Sequence, residues 1–205
     1  MTGLWILIAV LVVAALALIA SYNRFVRQRN LVQESWRQID VELNRRHDLI
    51  PNLVETVKGY ATQERTVLQA VTEARTAAVT ASRSPASGVA AQAEAENTLG
   101  RALNGLFAVA ENYPDLKSSQ NFLALQQQLA ETEDRIAAGR RFYNSNVRAL
   151  NTRVEAFPSS VIASMFNFTK ADYFEVEDPA VRAPVAVDFS SLTPSPPPQT
   201  GQTPS

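Results

Sequence analysis

Few side chains in this sequence have the chemistry that an active site needs, and the first to consider is the single histidine, His47. It lies in the run Arg45-Arg46-His47-Asp48, which is typical of a solvated helix face. A zinc hydrolase needs a ligand cluster such as HExxH, and one histidine without any cysteine cannot supply it. We therefore expect neither a histidine-based triad nor a bound zinc ion.

Paired acids and phosphate-binding loops are the other two kinds of site to consider. Glu131, Glu133 and Asp134 could pair as acid and base, but on an exposed helix such a group more often only keeps the surface soluble. Gly100 and Gly105 lie within a predicted helix and lack the GxxxxGK[ST] spacing of a phosphate loop. The residue inventory predicts a protein that is not an enzyme and binds no cofactor, metal ion or small-molecule substrate.

The amino-acid composition excludes several further classes of protein function. Lys and Arg total 19 and Asp and Glu total 20, so the chain has no net positive charge that would attract nucleic acid. The absence of cysteine excludes disulfides, iron–sulfur clusters and thiolate catalysis. A chain of 205 residues is long enough for one compact domain with an anchor and a tail.

Residues 3–20 read GLWILIAVLVVAALALIA, without a charged or strongly polar side chain. As a helix this run is roughly 27 Å long, close to the hydrocarbon core of about 30 Å. A cleaved signal peptide is the alternative, with Ala15 and Ala17 as small residues before the cleavage site. No Lys or Arg precedes the run, however, and it exceeds the usual apolar region of a signal peptide. We expect a retained transmembrane anchor over residues 1–21.

The charges that follow the anchor predict its orientation. Arg24, Arg27, Arg29 and Arg37 come after the apolar run, and positive flanks stay on the cytoplasmic side of a membrane. This favours a single-pass protein with its N-terminus out and its bundle in the cytoplasm. A periplasmic bundle is the alternative. The lipid bilayer is the one partner that the anchor itself implies, and the nearest arginines could also contact anionic headgroups.

Beyond the anchor, apolar residues recur at spacings of three and four, the pattern of a helix that packs against other helices. Because the phase is unbroken across Pro51, we predict one kinked helix rather than two. We call this apolar face the seam, and its residues are Val32, Trp36, Ile39, Leu43, Ile50, Leu53, Val57, Tyr60, Val67, Val71 and Ala74.

Further helices are predicted after a turn at residues 81–88. The second ends at Tyr113-Pro114, the third ends at Phe157-Pro158, and residues 161–168 form a short fourth. The predicted fold class is all-α: an N-terminal transmembrane helix that continues into a long-helix antiparallel bundle of three to four helices, residues 22–177. Residues 178–205 are rich in proline and should be a disordered tail, whose PxxP match at residues 194–197 could be chance or an SH3-type ligand.

The helix lengths raise a question about the seam. The first helix beyond the membrane should be roughly 90 Å long, but the second and third only roughly 40 and 65 Å. Trp36, Ile39 and Leu43 would then lie bare, and a second copy could cover them, which predicts a homo-oligomer. The alternative is that the third helix slides down and covers the seam within one chain.

Two more features are candidates for interaction. Arg46 falls on the buried seam, where it either extends to water or pairs with an acid on a facing helix. An aromatic stretch near the end of the bundle either forms a lid or is an exposed docking patch for a partner or a lipid surface. Its members are Phe157, Phe166, Phe168, Tyr173 and Phe174.

Three stretches of the chain together resemble the LemA family. The first contains QIDVELNRRHDLIPNLVETVKGYATQE at residues 38–64, after Tyr22-Asn23, Arg29-Asn30 and Trp36. The second is AVAENYPDLKSSQNFLALQQQLAETEDRI at residues 108–136, with RRFYNSNV at 140–147. The third is FPSSVIASMFNF at 157–168, followed by YFE at 173–175. Ser160, where the family more often has asparagine, and the long proline-rich tail depart from the pattern.

The resemblance implies a bacterial inner-membrane protein with an N-terminal helix and an antiparallel bundle, and it carries over no catalytic residue. The family's association with membrane proteases and TPM-domain proteins, and its magnetosome-forming member, indicate a scaffold. We therefore expect a non-enzymatic scaffold or adaptor at the membrane. The alternative is an oligomer that shapes the membrane.

Overall fold

The computed structural model describes residues 1–84 and 88–175, and over these ranges all regular structure is helical, as predicted. The predicted tail, residues 178–205, lies outside the described residues. The described helices are α1 (Thr2–Tyr60), α2 (Arg65–Arg83), α3 (Gly88–Ala110), α4 (Pro114–Lys117), α5 (Gln120–Glu155) and α6 (Ser159–Met165).

Helix α1 joins the apolar N-terminus to the bundle without a break. It contains 59 residues and continues through Pro51. Among the described residues it is the one helix long and apolar enough to cross a membrane. Its most apolar window has a mean hydropathy of 2.9 and no residue buried within the protein.

The prediction that this helix continues to Ala74 was wrong. Helix α1 ends at Tyr60, where the Ala61 N–H donates to the Val57 carbonyl at 2.8 Å and the Glu64 N–H donates to the Ala61 carbonyl at 3.2 Å. The chain turns there and enters α2. No proline marks this turn, so the continued apolar phase was misleading.

Helix α2 returns along α1 in the antiparallel direction. The Arg75 Nε–H donates to the His47 carbonyl at 2.9 Å, and the Ser82 hydroxyl donates to an Asp40 carboxylate oxygen at 3.1 Å. Moving seven residues forward along α2 therefore moves the contact seven residues back along α1. The helix that leaves the anchor is thus covered from its far tip down to about Asp40.

Helices α1, α2, α3 and α5 enclose the distal core, at the end of the bundle farther from the anchor. Glu96 of α3 meets His47 of α1, and Tyr113, just past the end of α3, meets Glu64, just past the end of α1. The two contacts keep one sequence offset, so α1 and α3 are parallel. Helix α5 runs back toward the anchor. The buried residues of the distal core are Ile50, Leu53, Val57, Ala61, Leu68, Val71, Ala74, Ala78, Leu99, Leu103, Leu106, Ala110, Leu116, Phe122 and Leu129.

A second cluster, the proximal core, lies nearer the anchor. It is built mainly between α1 and α5, with α6 and a non-helical segment, residues 168–175, which we call the strap. Helices α1 and α5 approach closely at Gly139, where a Cβ atom would lie 3.0 Å from Ile39 Cγ1. The buried residues of the proximal core are Phe25, Val32, Ile39, Leu43, Ala93, Ile136, Tyr143, Val147, Leu150, Ala163, Phe168 and Phe174.

The seam is therefore not bare, and the premise that Ile39 and Leu43 would lie uncovered in a single chain was wrong. Ile39, Leu43 and Leu53 are buried within the single chain. The returning helix α5 and the strap provide the cover, which is the alternative in which the third helix slides down over the seam. Trp36 lies at the rim of this region, partly buried.

Candidate functional site

Arg46 lies in a buried cluster of charged residues that three helices bring together. The Arg46 guanidinium forms an ion pair with Glu96 of α3, and its Nη1 lies 2.5 Å from an oxygen of Glu133 of α5. The second oxygen of Glu96 is 2.9 Å from His47 Nε2. Arg46, His47 and Glu96 are only 4%, 2% and 1% exposed, so this cluster is closed to solvent on all but the Glu133 side.

The pKa values of Arg46 and Glu96 favour the charged form of each side chain. Burial raises the pKa of Glu96, but the hydrogen bond from His47 and the charge of Arg46 outweigh it, and the pKa lies below its usual 4.5. Burial lowers the pKa of Arg46, but the charges of Glu96 and Glu133 outweigh burial and raise the pKa above its usual value. Both side chains therefore stay ionised inside the bundle at neutral pH.

This arrangement settles two predictions about α1. Arg46 pairs with an acid on a facing helix, which confirms the second of the two alternatives. The prediction of a solvated His47 was wrong, because its ring is buried against Glu96. The cluster joins α1, α3 and α5 at one level of the bundle, and we expect it to define how these helices align.

Two asparagines of α5 hold the strap by its main chain. Asn151 accepts from the Ala171 N–H at 2.9 Å and donates to the Ala171 carbonyl at 2.9 Å. Asn144 binds the N–H and carbonyl of Phe174 in the same way, at 2.9 and 3.1 Å. Seven residues of helix and three of extended chain both span about 10 Å, so the two pairs match in register.

The aromatic side chains of the strap complete the proximal core. Phe174 is fully buried, and its ring centroid lies 5.3 Å from that of Trp36. Trp36 also contacts Tyr143 at 5.3 Å, and the Tyr143 hydroxyl donates to the Asp172 carbonyl at 2.9 Å. Burial and the charge of Asp172 raise the pKa of Tyr143 to about 12. Tyr173, beside Phe174, is partly buried.

The end of the strap nearest the anchor packs against the start of the bundle. Phe168 stacks on Phe25 with ring centroids 4.8 Å apart, and Phe166 meets Tyr22 edge-on at 4.9 Å. The Arg29 guanidinium lies 5.6 Å from the centroid of Phe168. Phe168 is buried and Phe166 exposed, so the aromatic stretch is partly a lid and partly an open surface.

The candidate residues thus divide among three places. Arg46 belongs to the charged cluster, and Phe166 and Phe168 belong to the anchor end. Trp36, Ile39, Leu43, Tyr173 and Phe174 line or border the proximal core. Glu96, Asn144 and Asn151 hold these places together, and none of the three was predicted from the sequence. The only sequence signal for the asparagines is their spacing of seven on one helix face.

The comparison with known families agrees with this architecture. The sequence profile of the LemA family matches residues 35–189. The chain belongs to the LemA family. The resemblance stated from the sequence is thereby confirmed, and the apolar start of α1 makes this LemA-family member a membrane-associated helical protein.

Individual relatives extend the family match over most of the chain. The magnetosome proteins MamQ 1 and MamQ 2 of Paramagnetospirillum magneticum are each 30% identical to it, over 89% of this chain and 76% of theirs. Protein LemA of Metamycoplasma hominis is 25% identical, over 76% of this chain and 69% of its own.

Proposed function

We propose that this LemA-family protein is a non-enzymatic scaffold or adaptor that holds partner proteins at the bacterial inner membrane. The observation that carries the proposal is the continuity of α1, which runs from the apolar segment to the tip of the bundle as one helix of 59 residues. At about 1.5 Å per residue this helix is roughly 88 Å long. A bundle built on it presents its surface at a fixed distance and angle from the bilayer.

The chemistry of the bundle supports a role without catalysis. The single histidine is buried and engaged by Glu96. Among the described residues no three His, Cys, Asp or Glu side chains lie together as a metal site would require. We expect detergent-purified protein to contain less than one equivalent of zinc, iron or copper per chain. One tightly held equivalent, measured by elemental analysis, would contradict a non-enzymatic scaffold.

Crosslinking in intact membranes, followed by mass spectrometry, tests the scaffold directly. We expect discrete partner proteins linked to the outer faces of the bundle, and membrane proteases and TPM-domain proteins are the partner classes that the family resemblance implies. Links between copies alone, together with tubulation of liposomes by the purified protein, would support the membrane-shaping oligomer instead. Homo-oligomerisation remains a prediction, now without the bare seam as its reason.

The cytoplasmic location of the bundle is part of the proposal and rests on Arg24, Arg27, Arg29 and Arg37 after the apolar run. A reporter that fluoresces only in the cytoplasm, fused after Ser205, should be bright. A dark fusion, together with an active periplasmic phosphatase fusion at the same position, would place the bundle in the periplasm.

A further inference from the structure

Helix α6 leaves an apolar stripe uncovered at the anchor end of the bundle. Val161 and Met165 lie one turn apart on α6 and are 54% and 62% exposed, and Phe157, just before the helix, is 84% exposed. Together with Phe166 they place four large exposed apolar side chains within ten residues. Single exposed apolar residues are common on proteins, but a contiguous group of them marks an interaction surface.

The rest of α6 is firmly held, so the stripe is a fixed surface rather than a frayed end. Ala163, on the opposite side of α6, is buried in the proximal core. After α6, the Phe168 N–H donates to the Ala163 carbonyl at 2.9 Å, and Asn167 adopts a left-handed φ of 57°. This is the helix-ending motif that usually uses glycine, and asparagine tolerates it well.

Contacts with α1 fix the height of α6 relative to the apolar segment. Phe166 packs on Tyr22, and Phe168 packs on Phe25. Along a helix, Tyr22 lies about 3 Å and Phe25 about 7.5 Å beyond Ala20, the last residue of the apolar run. The headgroup region on each side of a bilayer is roughly 5 to 7 Å thick. When residues 3–20 span the hydrocarbon, α6 therefore lies at the depth of the headgroups.

We infer that the exposed face of α6 inserts into the headgroup layer, giving the bundle a second contact with the lipid beside the anchor. The exposed Leu16 and Ile19 precede Tyr22 at helical spacings of three, and Tyr22 contacts Phe166, so the apolar face of α1 leads to this end of α6. The exposed Arg24, about 6 Å beyond Ala20, lies at the same depth and suits anionic lipid. An interfacial helix of this kind buries apolar side chains at the boundary between headgroups and acyl chains.

Single cysteines placed in the full-length chain test this inference without background, because the natural sequence contains none. Val161→Cys and Met165→Cys would each be labelled with an environment-sensitive fluorophore and reconstituted into phosphatidylcholine–phosphatidylglycerol vesicles. Leu11→Cys, inside the apolar segment, is the control for anchoring. Ser118→Cys, exposed at the distal end of the bundle, is the control for water.

We expect the labels at positions 161 and 165 to emit at shorter wavelength than the label at 118. They should also be severalfold more quenched by a lipid with a nitroxide near its headgroup, and severalfold less by aqueous iodide. Labels that behave like the one at 118, while the label at 11 is lipid-quenched, would overturn the inference. Protection from iodide without quenching by lipid would also overturn it, because protein would then cover the stripe. This test depends on the anchor and not on the scaffold, so the two can fail separately.

Discussion

Helices α1 and α5 run through both halves of the bundle, but different elements complete the core around them in the distal half and in the proximal half. In the distal half, α2 and α3 complete a four-helix bundle whose buried residues are mostly Leu, Val and Ala. In the proximal half these helices are largely absent, and larger side chains, Phe25, Tyr143, Phe168 and Phe174, fill the space. The strap that carries two of them is held by side chain to main chain hydrogen bonds. A strand-like segment can thus replace a helix where aromatic bulk supplies the volume and asparagines supply the hydrogen bonds.

The charged cluster lies between these two halves, and we expect it to stabilise both. Glu96→Ala removes the buried partner of Arg46 and His47, and we expect it to destabilise the full-length protein by about 3 to 5 kcal/mol. Chemical unfolding in detergent, followed by circular dichroism, measures the loss. Glu94→Ala is the matched control, since Glu94 of the same helix forms an exposed pair with Arg101, and the substitution should cost under about 1 kcal/mol. Equal effects of both variants would mean that the cluster does not join the halves.

Phe174→Ala should affect the proximal half alone. Truncation of a buried phenylalanine costs about 3 kcal/mol or more, and here the loss should appear as local opening of the strap. Hydrogen exchange read by mass spectrometry should rise in residues 168–175 and in the facing part of α5, but not in α2. The exposed Phe142 of α5 provides the control, because Phe142→Ala should leave the exchange unchanged. Faster exchange throughout the molecule would show that the halves unfold as one unit.

Asn144→Ala tests the main-chain hydrogen bonds separately from the aromatic packing. It leaves the N–H and carbonyl of the buried Phe174 without their partner, which costs about 1 to 3 kcal/mol. Exchange should again rise in the strap, but less than in Phe174→Ala. Asn121→Ala, at an exposed position near the start of α5, should have no such effect. If Asn144→Ala is also silent, the asparagines do not hold the strap.

Tyr143→Phe should have the smallest effect at neutral pH, about 1 kcal/mol for the lost hydrogen bond to Asp172. A difference in pH dependence should accompany it. The pKa of Tyr143 rises from 10.0 to about 12 on folding, so the unfolded chain releases this proton first. The stability that the protonated hydroxyl contributes is full below pH 10 and is lost as the pH rises through the folded pKa. Between pH 10 and about 12 the melting temperature should fall less steeply with pH for Tyr143→Phe than for the natural protein. Parallel curves for the two proteins would contradict a raised pKa for Tyr143.

The sequence predicted the elements of this fold better than their contacts. The unbroken apolar run located the apolar segment, and prolines located the helix breaks at Pro114 and Pro158, because these signals are local. The turn after Tyr60 was missed, since no proline or asparagine–glycine pair marks it and the apolar phase continues across it. Glu96 could not be identified as the partner of Arg46, because α3 is rich in alanine and its buried face is not distinct. The strap was also beyond prediction, since its hydrogen bonds join residues 20 and 30 apart.

The statement that one chain covers its own seam can be tested most directly with a pair of cysteines. Ile39 and Gly139 lie in contact between α1 and α5, and the natural chain has no cysteine to interfere. In native membranes, mild oxidation of Ile39→Cys/Gly139→Cys should give a monomer with an internal disulfide, which migrates faster on a non-reducing gel. A disulfide-linked dimer in place of that monomer would show that a second copy covers the seam, and would contradict the fold described above.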